Sequence, residues 1–205
     1  MHDCFPIVHL VDDDAAVRDS LTLLLESEGH TLQAHASAED FLAVCGPGPC
    51  GCAIIDLRMP GLGGMALQDE MARRDIHLPI IFLTGHGDIS TSVKAMKAGA
   101  FDFLTKPVAA SDLLRVVDAA LAEARRRCAE DDRMCVAASR VASLTARERD
   151  VLKLAARGMA NKEIAKRLGI SFRTVEIHRT RVMHKTGAGS LIELANLARE
   201  AGLGD

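Results

Sequence analysis

The stretch Ile7-Val8-His9-Leu10-Val11-Asp12-Asp13-Asp14 decides how this chain is read. Its apolar run, 7–11, has the length of a buried strand, and it ends in three consecutive acids. Carboxylates crowded at the C-terminal end of a strand repel one another unless something positive sits among them. In open α/β sheets that edge is where ligands dock. Oxygen donors suit Mg²⁺, which keeps several waters and needs only one or two carboxylates plus a phosphate. Capping of a helix that begins near residue 15 accounts for Asp14, but not for three acids in a row.

The same pattern recurs along the chain. Ala53-Ile54-Ile55 leads to Asp56, and Leu57-Arg58-Met59-Pro60-Gly61 follows, its Pro-Gly marking a turn. The run 79–83 ends in Thr84-Gly85, and the run 101–105 ends in Lys106-Pro107. A weaker strand lies at 31–36, and the Gly/Pro-rich segment from Cys45 to Cys52 reads as a loop before the third strand. Val17, Leu21, Leu24 and Leu25 repeat at helical spacing, and further helices are expected at 63–74, 88–98 and 110–127. Strands alternating with helices imply an α/β fold, a doubly wound five-stranded parallel sheet with all strand ends on one edge. That edge gathers an acid, an acid, a hydroxyl and a lysine. A single buried Asp or Lys is usually just a paired structural group, whereas the four together describe a phosphoryl-transfer site.

These residues resemble the receiver domain of two-component response regulators, a flavodoxin-like fold, over about the first 120 residues. The resemblance rests on the acidic pair after the first strand, Asp-x-x-Met-Pro-Gly, the Thr, and Lys-Pro. It implies that Asp56 is the phosphoacceptor and that Asp12 and Asp13 hold Mg²⁺, with Asp13 the direct ligand. The main-chain carbonyl of Arg58 is implied as a further ligand. Thr84 would receive a phosphoryl oxygen on switching, Lys106 would pair with the phosphoryl group, and Phe103 falls at the rotating aromatic position. The chain contains no Tyr, so a hydroxyl-dependent version of that switch is excluded.

Charge separates a second module. Residues 1–139 carry 12 Lys+Arg against 21 Asp+Glu, a net of −9, and residues 140–205 carry 13 against 7, a net of +6. A basic module behind an acidic one suggests a nucleic-acid partner, although many small helical domains are mildly basic and bind nothing. Leu144-Thr145-Ala146-Arg147-Glu148 holds a capping box, Thr145 with Glu148. Its helix would bury Val151, Leu152 and Ala155 and stop near Gly158. Asn161 is expected to cap a short second helix that Gly169 ends, and Ser171 to cap a third. In the third, Val175 and Val182 face inward while Arg173, Ile177, Thr180, Arg181 and His184 spread over the other side. A fourth helix, about 190–201, carries Leu191, Leu194, Ala195 and Leu197. Two short helices, a Gly-containing turn and a longer helix read as helix-turn-helix.

This all-α segment resembles the LuxR-type helix-turn-helix in Leu-Thr-x-Arg-Glu-x-x-Val-Leu (144–152), Asn-Lys-Glu-Ile-Ala (161–165) and Thr-Val-Glu-x-His (174–178). With the receiver it is similar to the NarL/FixJ class, and the 84–88 and 181–185 runs point to the FixJ-type branch. The resemblance implies that Glu176, Ile177, Thr180 and Arg181 face the major groove. It also makes Lys162, Ser171, Arg173, Thr174 and Arg179 candidates for phosphate contact. The expected organisation is a receiver at 1–124, a linker at 125–141 with possible helical extension, and the DNA-binding domain at 142–205.

The expected activity is that of a phosphorylation-activated transcriptional regulator. It would take phosphate from a sensor histidine kinase, dimerise, bind double-stranded promoter DNA and engage RNA polymerase. Nothing beyond that self-phosphorylation marks it as an enzyme. No apolar run is long enough to span a membrane, and the N-terminus lacks a basic n-region, so a cytoplasmic protein with no membrane partner is expected. Cys45, Cys50 and Cys52 match no common zinc spacing and read as free thiols. Cys128 and Cys135, seven apart, would share one face of a continuous helix. Two alternatives stay open: a phosphorelay module whose C-terminal part binds protein, and thiol redox control in place of phosphorylation.

Overall fold

The computed structural model describes residues 6–48, 50–85 and 94–203. The chain divides into two compact units, Met1–Cys128 and Ala129–Asp205.

The first unit alternates strands and helices: β1 (Ile7–Val11), α1 (Ala15–Ser27), β2 (Thr31–His35), α2 (Ala38–Val44), β3 (Gly51–Asp56), α3 (Gly64–Arg73), β4 (Ile80–Thr84) and β5 (Asp102–Thr105). Helix α4 (Ala110–Ala142) follows. The strands are parallel in the order β2-β1-β3-β4-β5. The order reverses direction beside β1 and β3, which opens a crevice at their carboxyl ends. β3 and β4 are buried along their whole length, as their near-continuous apolar sequences require of central strands. On one face Val11, Ile55 and Phe82 pack with Phe41, Leu67 and Met71. On the other, Leu10, Ile54 and Ile81 pack with Leu25, Leu113 and Val117.

Two details adjust the sequence reading. The Gly/Pro loop ends earlier than expected, because Gly51 and Cys52 already belong to β3. Gly51 stands at φ 152°, and a Cβ there would lie 2.0 Å from the Ile7 carbonyl oxygen, so only glycine lets β3 start against β1. The expected helix at 88–98 is described only in part: residues 94–97 are helical, while His86 and Asp88 lie outside the described residues. Helix α4 does not stop near 127. It runs 33 residues, through the expected linker, and its last turns bury Ala137 and Val141.

In the second unit α5 (Ala146–Ala156), α6 (Asn161–Leu168), α7 (Phe172–Thr186) and α8 (Leu191–Glu200) enclose Val151, Leu152, Ile164, Val175, Val182 and Leu194. The Thr145–Glu148 capping box is present, and Ser171 caps α7 through the Thr174 N–H. The cap of α6 is corrected. Ala160 is its N-cap, and the Glu163 carboxylate accepts from the Ala160 N–H at 2.9 Å. Asn161 is instead the first helical residue, its side-chain oxygen taken by Arg179 of α7. Leu191, expected on the apolar stripe of the last helix, is 50% exposed, and Ala198 is fully buried. The helix starts at Leu191, so that residue sits at its exposed first turn.

Candidate functional site

The carboxyl ends of β1, β3 and β4 and the residue after β5 bring Asp12, Asp56, Thr84 and Lys106 to one edge. The register fixes this: Val11 pairs with Ile55, Asp56 with Leu83, and Thr84 with Thr105. Asp12, Asp56 and Thr84 are 0%, 6% and 1% exposed. Lys106 Nζ lies 2.7 Å from Asp12 Oδ2 and 2.7 Å from Asp56 Oδ1, bridging the two acids. The other oxygen of Asp56 accepts from the Arg58 N–H at 2.9 Å, and Asp12 Oδ1 accepts from the Asp14 N–H at 2.9 Å. The Lys106 N–H donates to the Thr84 carbonyl at 2.7 Å, which ties the end of β5 to β4. Thr84 Oγ1 donates to the Gly85 carbonyl at 3.0 Å.

The electrostatics are finely opposed. Burial pushes the Asp56 carboxyl up from its ordinary value, helped by the nearby Asp12 charge, while Lys106 and the Arg58 N–H pull it down. Burial also works against the Lys106 ammonium, but its hydrogen bonds and ion pairs with Asp12 and Asp56 prevail and raise it. Asp56 is therefore a buried carboxyl held in place through both oxygens, by Lys106 and the Arg58 N–H. Asp13, by contrast, is exposed beside the site, and Phe103 on β5 is 40% exposed. Asp14 does cap α1, accepting from the Ala16 and Val17 N–H groups, so the capping and ligand readings apply to different acids of the run.

Two residues of this edge escaped the sequence reading. Gly64 opens α3 directly behind the acceptor; a Cβ there would come within 2.5 Å of the Asp56 carbonyl oxygen. Its signal was the Gly63-Gly64 doublet soon after the Pro-Gly turn. Arg18 Nη1 donates to the Asp12 carbonyl at 2.7 Å, and nothing local in the sequence marks it.

The second unit offers a different surface. Val175, Val182 and Thr186 of α7 are buried, while Arg173, Ile177, Thr180 and Arg181 are exposed. Ile177 is 42% exposed. Arg173 pairs with Glu176 at 3.5 Å, and Thr180 Oγ1 donates to the Glu176 carbonyl at 3.0 Å. Lys162 and Ser171 are exposed, Ser171 Oγ also lying 2.8 Å from Thr174 Oγ1. Thr174, Glu176 and Arg179 are half-buried, and Arg179 donates to Asn161 of α6. The sequence reading saw Glu148 only as a cap. It is 3% exposed and pairs with Lys185 at 2.7 Å, which joins α5 to α7. Hydrogen bonds from Lys185 and the Thr145 N–H hold its carboxyl down at about 2.

Comparison with known proteins agrees with this division. Residues 8–118 match the family described as response regulator receiver domain, and residues 142–198 match bacterial regulatory proteins of the luxR family. The chain is 45% identical over 196 residues to transcriptional regulatory protein FixJ of Azorhizobium caulinodans, covering 96% of this chain and 93% of that protein. It is 44% identical over 192 residues to the C4-dicarboxylate transport transcriptional regulatory protein DctR of Rhodobacter capsulatus, covering 93% and 98%. Among solved structures, the response regulator StyR is 39% identical with a TM-score of 0.84, covering 95% of this chain and 98% of its own. Full-length FixJ from B. japonicum is 40% identical with a TM-score of 0.58, covering 98% of each chain. Among the described residues no helix is long and apolar enough to cross a membrane.

Proposed function

We propose a residue-level mechanism from the premise that this chain belongs to the NarL/FixJ family of two-component response regulators, FixJ-type, and is a phosphorylation-activated transcription regulator. The observation that carries it is Lys106, bridging Asp12 and Asp56 at 2.7 Å each.

Asp56 attacks phosphorus on the phosphohistidine of a sensor kinase. The bond from phosphorus to the histidine nitrogen breaks, and the phosphoryl group passes to the carboxylate as an acyl phosphate. Lys106 exchanges its Asp56 partner for a phosphoryl oxygen. The Thr84 hydroxyl turns from the Gly85 carbonyl to another, and Phe103 follows it inward. The new group brings about −1.5 to −2 of charge, if it titrates like other phosphorylated side chains. Charge neutralisation and positioning dominate such transfers.

The donor set fits Mg²⁺. Asp12, Asp13 and Asp56 against one ammonium leave two negative charges at one edge. Among the described residues no group of three or more His, Cys, Asp or Glu side chains stands ready to hold a metal. Mg²⁺ does not need one, since it keeps much of its water. Asp12, Asp13, Asp56 and the Arg58 main-chain carbonyl would hold it. Once bound, it offsets charge on the transferring group.

Phosphorylation then favours a homodimer through the 88–98 segment and β5, and the paired C-terminal units bind promoter DNA. Glu176, Ile177, Thr180 and Arg181 face the major groove, with Lys162, Ser171, Arg173 and Thr174 at the phosphates. Arg179 positions α7 against α6 through Asn161 and contributes to the backbone contact from there. RNA polymerase is the downstream partner, and the cytoplasm the place of action. The test is labelling by a kinase or a small acyl phosphate with and without Mg²⁺. Label is expected only with Mg²⁺, and Asp56→Asn, which keeps the shape but removes the nucleophile, should abolish it. Labelling of that variant at the parent rate would overturn the assignment.

A further inference from the structure

The exposed part of α4 has a repeat that the proposed function leaves unused. Cys128, Cys135 and Ala142 recur every seventh residue, with Asp131 and Ala138 interleaved as positions d to their a. Because the helix is unbroken from Ala110 to Ala142, all five lie on one stripe. Cys128 is half-buried and the other four are exposed. The rest of the helix is partly occupied: Ala137, about 180° around from Cys128 at 100° per residue, is 2% exposed, and Val141, the g position that flanks Ala142 at the end of the stripe, is 7% exposed. One face of the segment is thus anchored in its own unit, while the face carrying both thiols is left to solvent.

We propose that residues 128–142 of α4 pair in parallel with the same segment of a second copy, Cys135 facing Cys135 and Cys128 facing Cys128 across a two-fold axis. Charge complementarity selects a second copy as the occupant. In a parallel pair, position g of one helix meets position e of the next heptad on its partner. Here those residues are Arg127 and Asp132, of opposite sign, and the pair occurs twice by symmetry. Arg127 already pairs with Glu123 at 2.7 Å, but a guanidinium has five donors and can serve both. At the next g position Met134, 54% exposed, lies beside the seam and can cover it. Asp131 is the one charged seam residue. In register it faces its own copy, so two like charges meet at the seam and oppose the pairing that the Arg127–Asp132 pairs favour.

Fifteen residues of helix span only about 22 Å, and a contact of two heptads is marginal alone. The inference therefore rests on the proposed receiver dimer, which raises the local concentration of one helix about the other.

The experiment uses full-length protein, phosphorylated by a small acyl phosphate with Mg²⁺ and oxidised mildly with copper–phenanthroline. The oxidant takes two electrons as two thiols lose their protons and join as a disulfide. Cross-linked dimer is expected, its yield falling in Cys128→Ser and in Cys135→Ser and lost in the double variant. Arg133→Cys in the double-Ser background, on the side of the helix away from the stripe, should cross-link at least several-fold less than Cys135. Asp132→Arg should lower the yield and the added Arg127→Asp should restore it, while Asp131→Leu should raise it. Sedimentation of the double-Ser variant reports the receiver dimer separately. A dimer by sedimentation without thiol cross-links, or with equal cross-linking at 133, overturns the helix pairing and leaves the receiver dimer standing. A monomer by both measures overturns both. Failure of the charge swap to restore the yield overturns the parallel register.

Discussion

At the sheet edge of the first unit the polar groups are inside, with Asp12, Asp56 and Thr84 at 6% exposure or less. Lys106 bridges the acids, and backbone N–H groups fill their remaining oxygens. On α7 the arrangement is inverted. An apolar ridge of Val175 and Val182 is buried, and Arg173, Thr180 and Arg181 stand in solvent with few mutual ties. In the first region folding and chemistry draw on the same contacts, so substitutions there should move stability and function together. In the second they should separate.

Lys106→Met should give the largest stability effect. It leaves Asp12 and Asp56 buried together without their cation, and breaking such a pair costs about 3–5 kcal/mol in well-buried settings. Urea midpoints of the receiver should fall accordingly, and added Mg²⁺ should recover part of the loss by replacing the missing positive charge. An unchanged midpoint would mean that the bridge contributes only to chemistry, and the contrast with α7 would collapse on this side.

A second buried polar pair lies in the receiver. His9 and His35 stack with centroids 5.4 Å apart, their ring nitrogens 3.2 Å from each other, and both rings meet Phe41 edge-on. Burial first, and then His35, lower His9 to about 4. Since the folded value lies below the unfolded 6.5, the stabilisation is complete above pH 6.5. It is lost as pH falls towards about 4, because the unfolded chain takes up a proton that the folded one refuses. The loss should reach roughly 2–3 kcal/mol. Comparing His9→Phe with the parent by urea unfolding at pH 7.5 and pH 5 isolates it, and the variant should show the shallower decline.

Arg181→Ala should separate binding from folding. Stability should stay within about 0.5 kcal/mol, as for exposed substitutions generally, while affinity for the preferred site drops by about 1–3 kcal/mol if the guanidinium reads a base. Titration at fixed salt on preferred and random DNA checks this, and equal losses on both would reassign Arg181 to the phosphates.

How much of each region could be read in the sequence follows the same contrast. Strand-end acids, Thr84 and Lys106 were legible because the parallel topology carries every strand end to one edge, so residues far apart in sequence become neighbours by rule. Arg18 was not, because a side chain reaching back from α1 to the Asp12 carbonyl leaves no local pattern. Gly51 could be seen as a turn residue but not as the point where Ile7 approaches. In the second unit periodicity gave the buried ridge of α7. It misplaced the cap of α6, since Asn161 is a good capping residue locally and only the tertiary partner Arg179 draws its side chain elsewhere. The end of α4 was hidden for a related reason. No Pro or Gly stops the helix between 110 and 142, so only packing decides where it finishes.

Glu148 offers the smallest and most discriminating test, because there the second unit, too, ties a buried acid to a lysine. It is nearly buried, caps α5 and holds Lys185 of α7. Its partner is 36% exposed on its side chain, so solvent screens the pair and the net effect should be about 1 kcal/mol or less. The sign is opposite to a histidine gaining a partner. The folded value, about 2, lies below the ordinary 4.5, so the contribution is present above pH 4.5 and is lost as pH falls towards 2. Glu148→Gln keeps the shape and a weaker cap but removes the charge. Its thermal midpoint should sit slightly below the parent's at pH 7, and the two should converge as pH falls to about 2. DNA affinity is the deciding readout. If Glu148 only stabilises, affinity at a temperature where both proteins are fully folded should be unchanged. A several-fold loss there, with an unaltered salt dependence, would show that the Lys185 tie sets the angle of α7, and that folding and recognition share contacts in this unit as well.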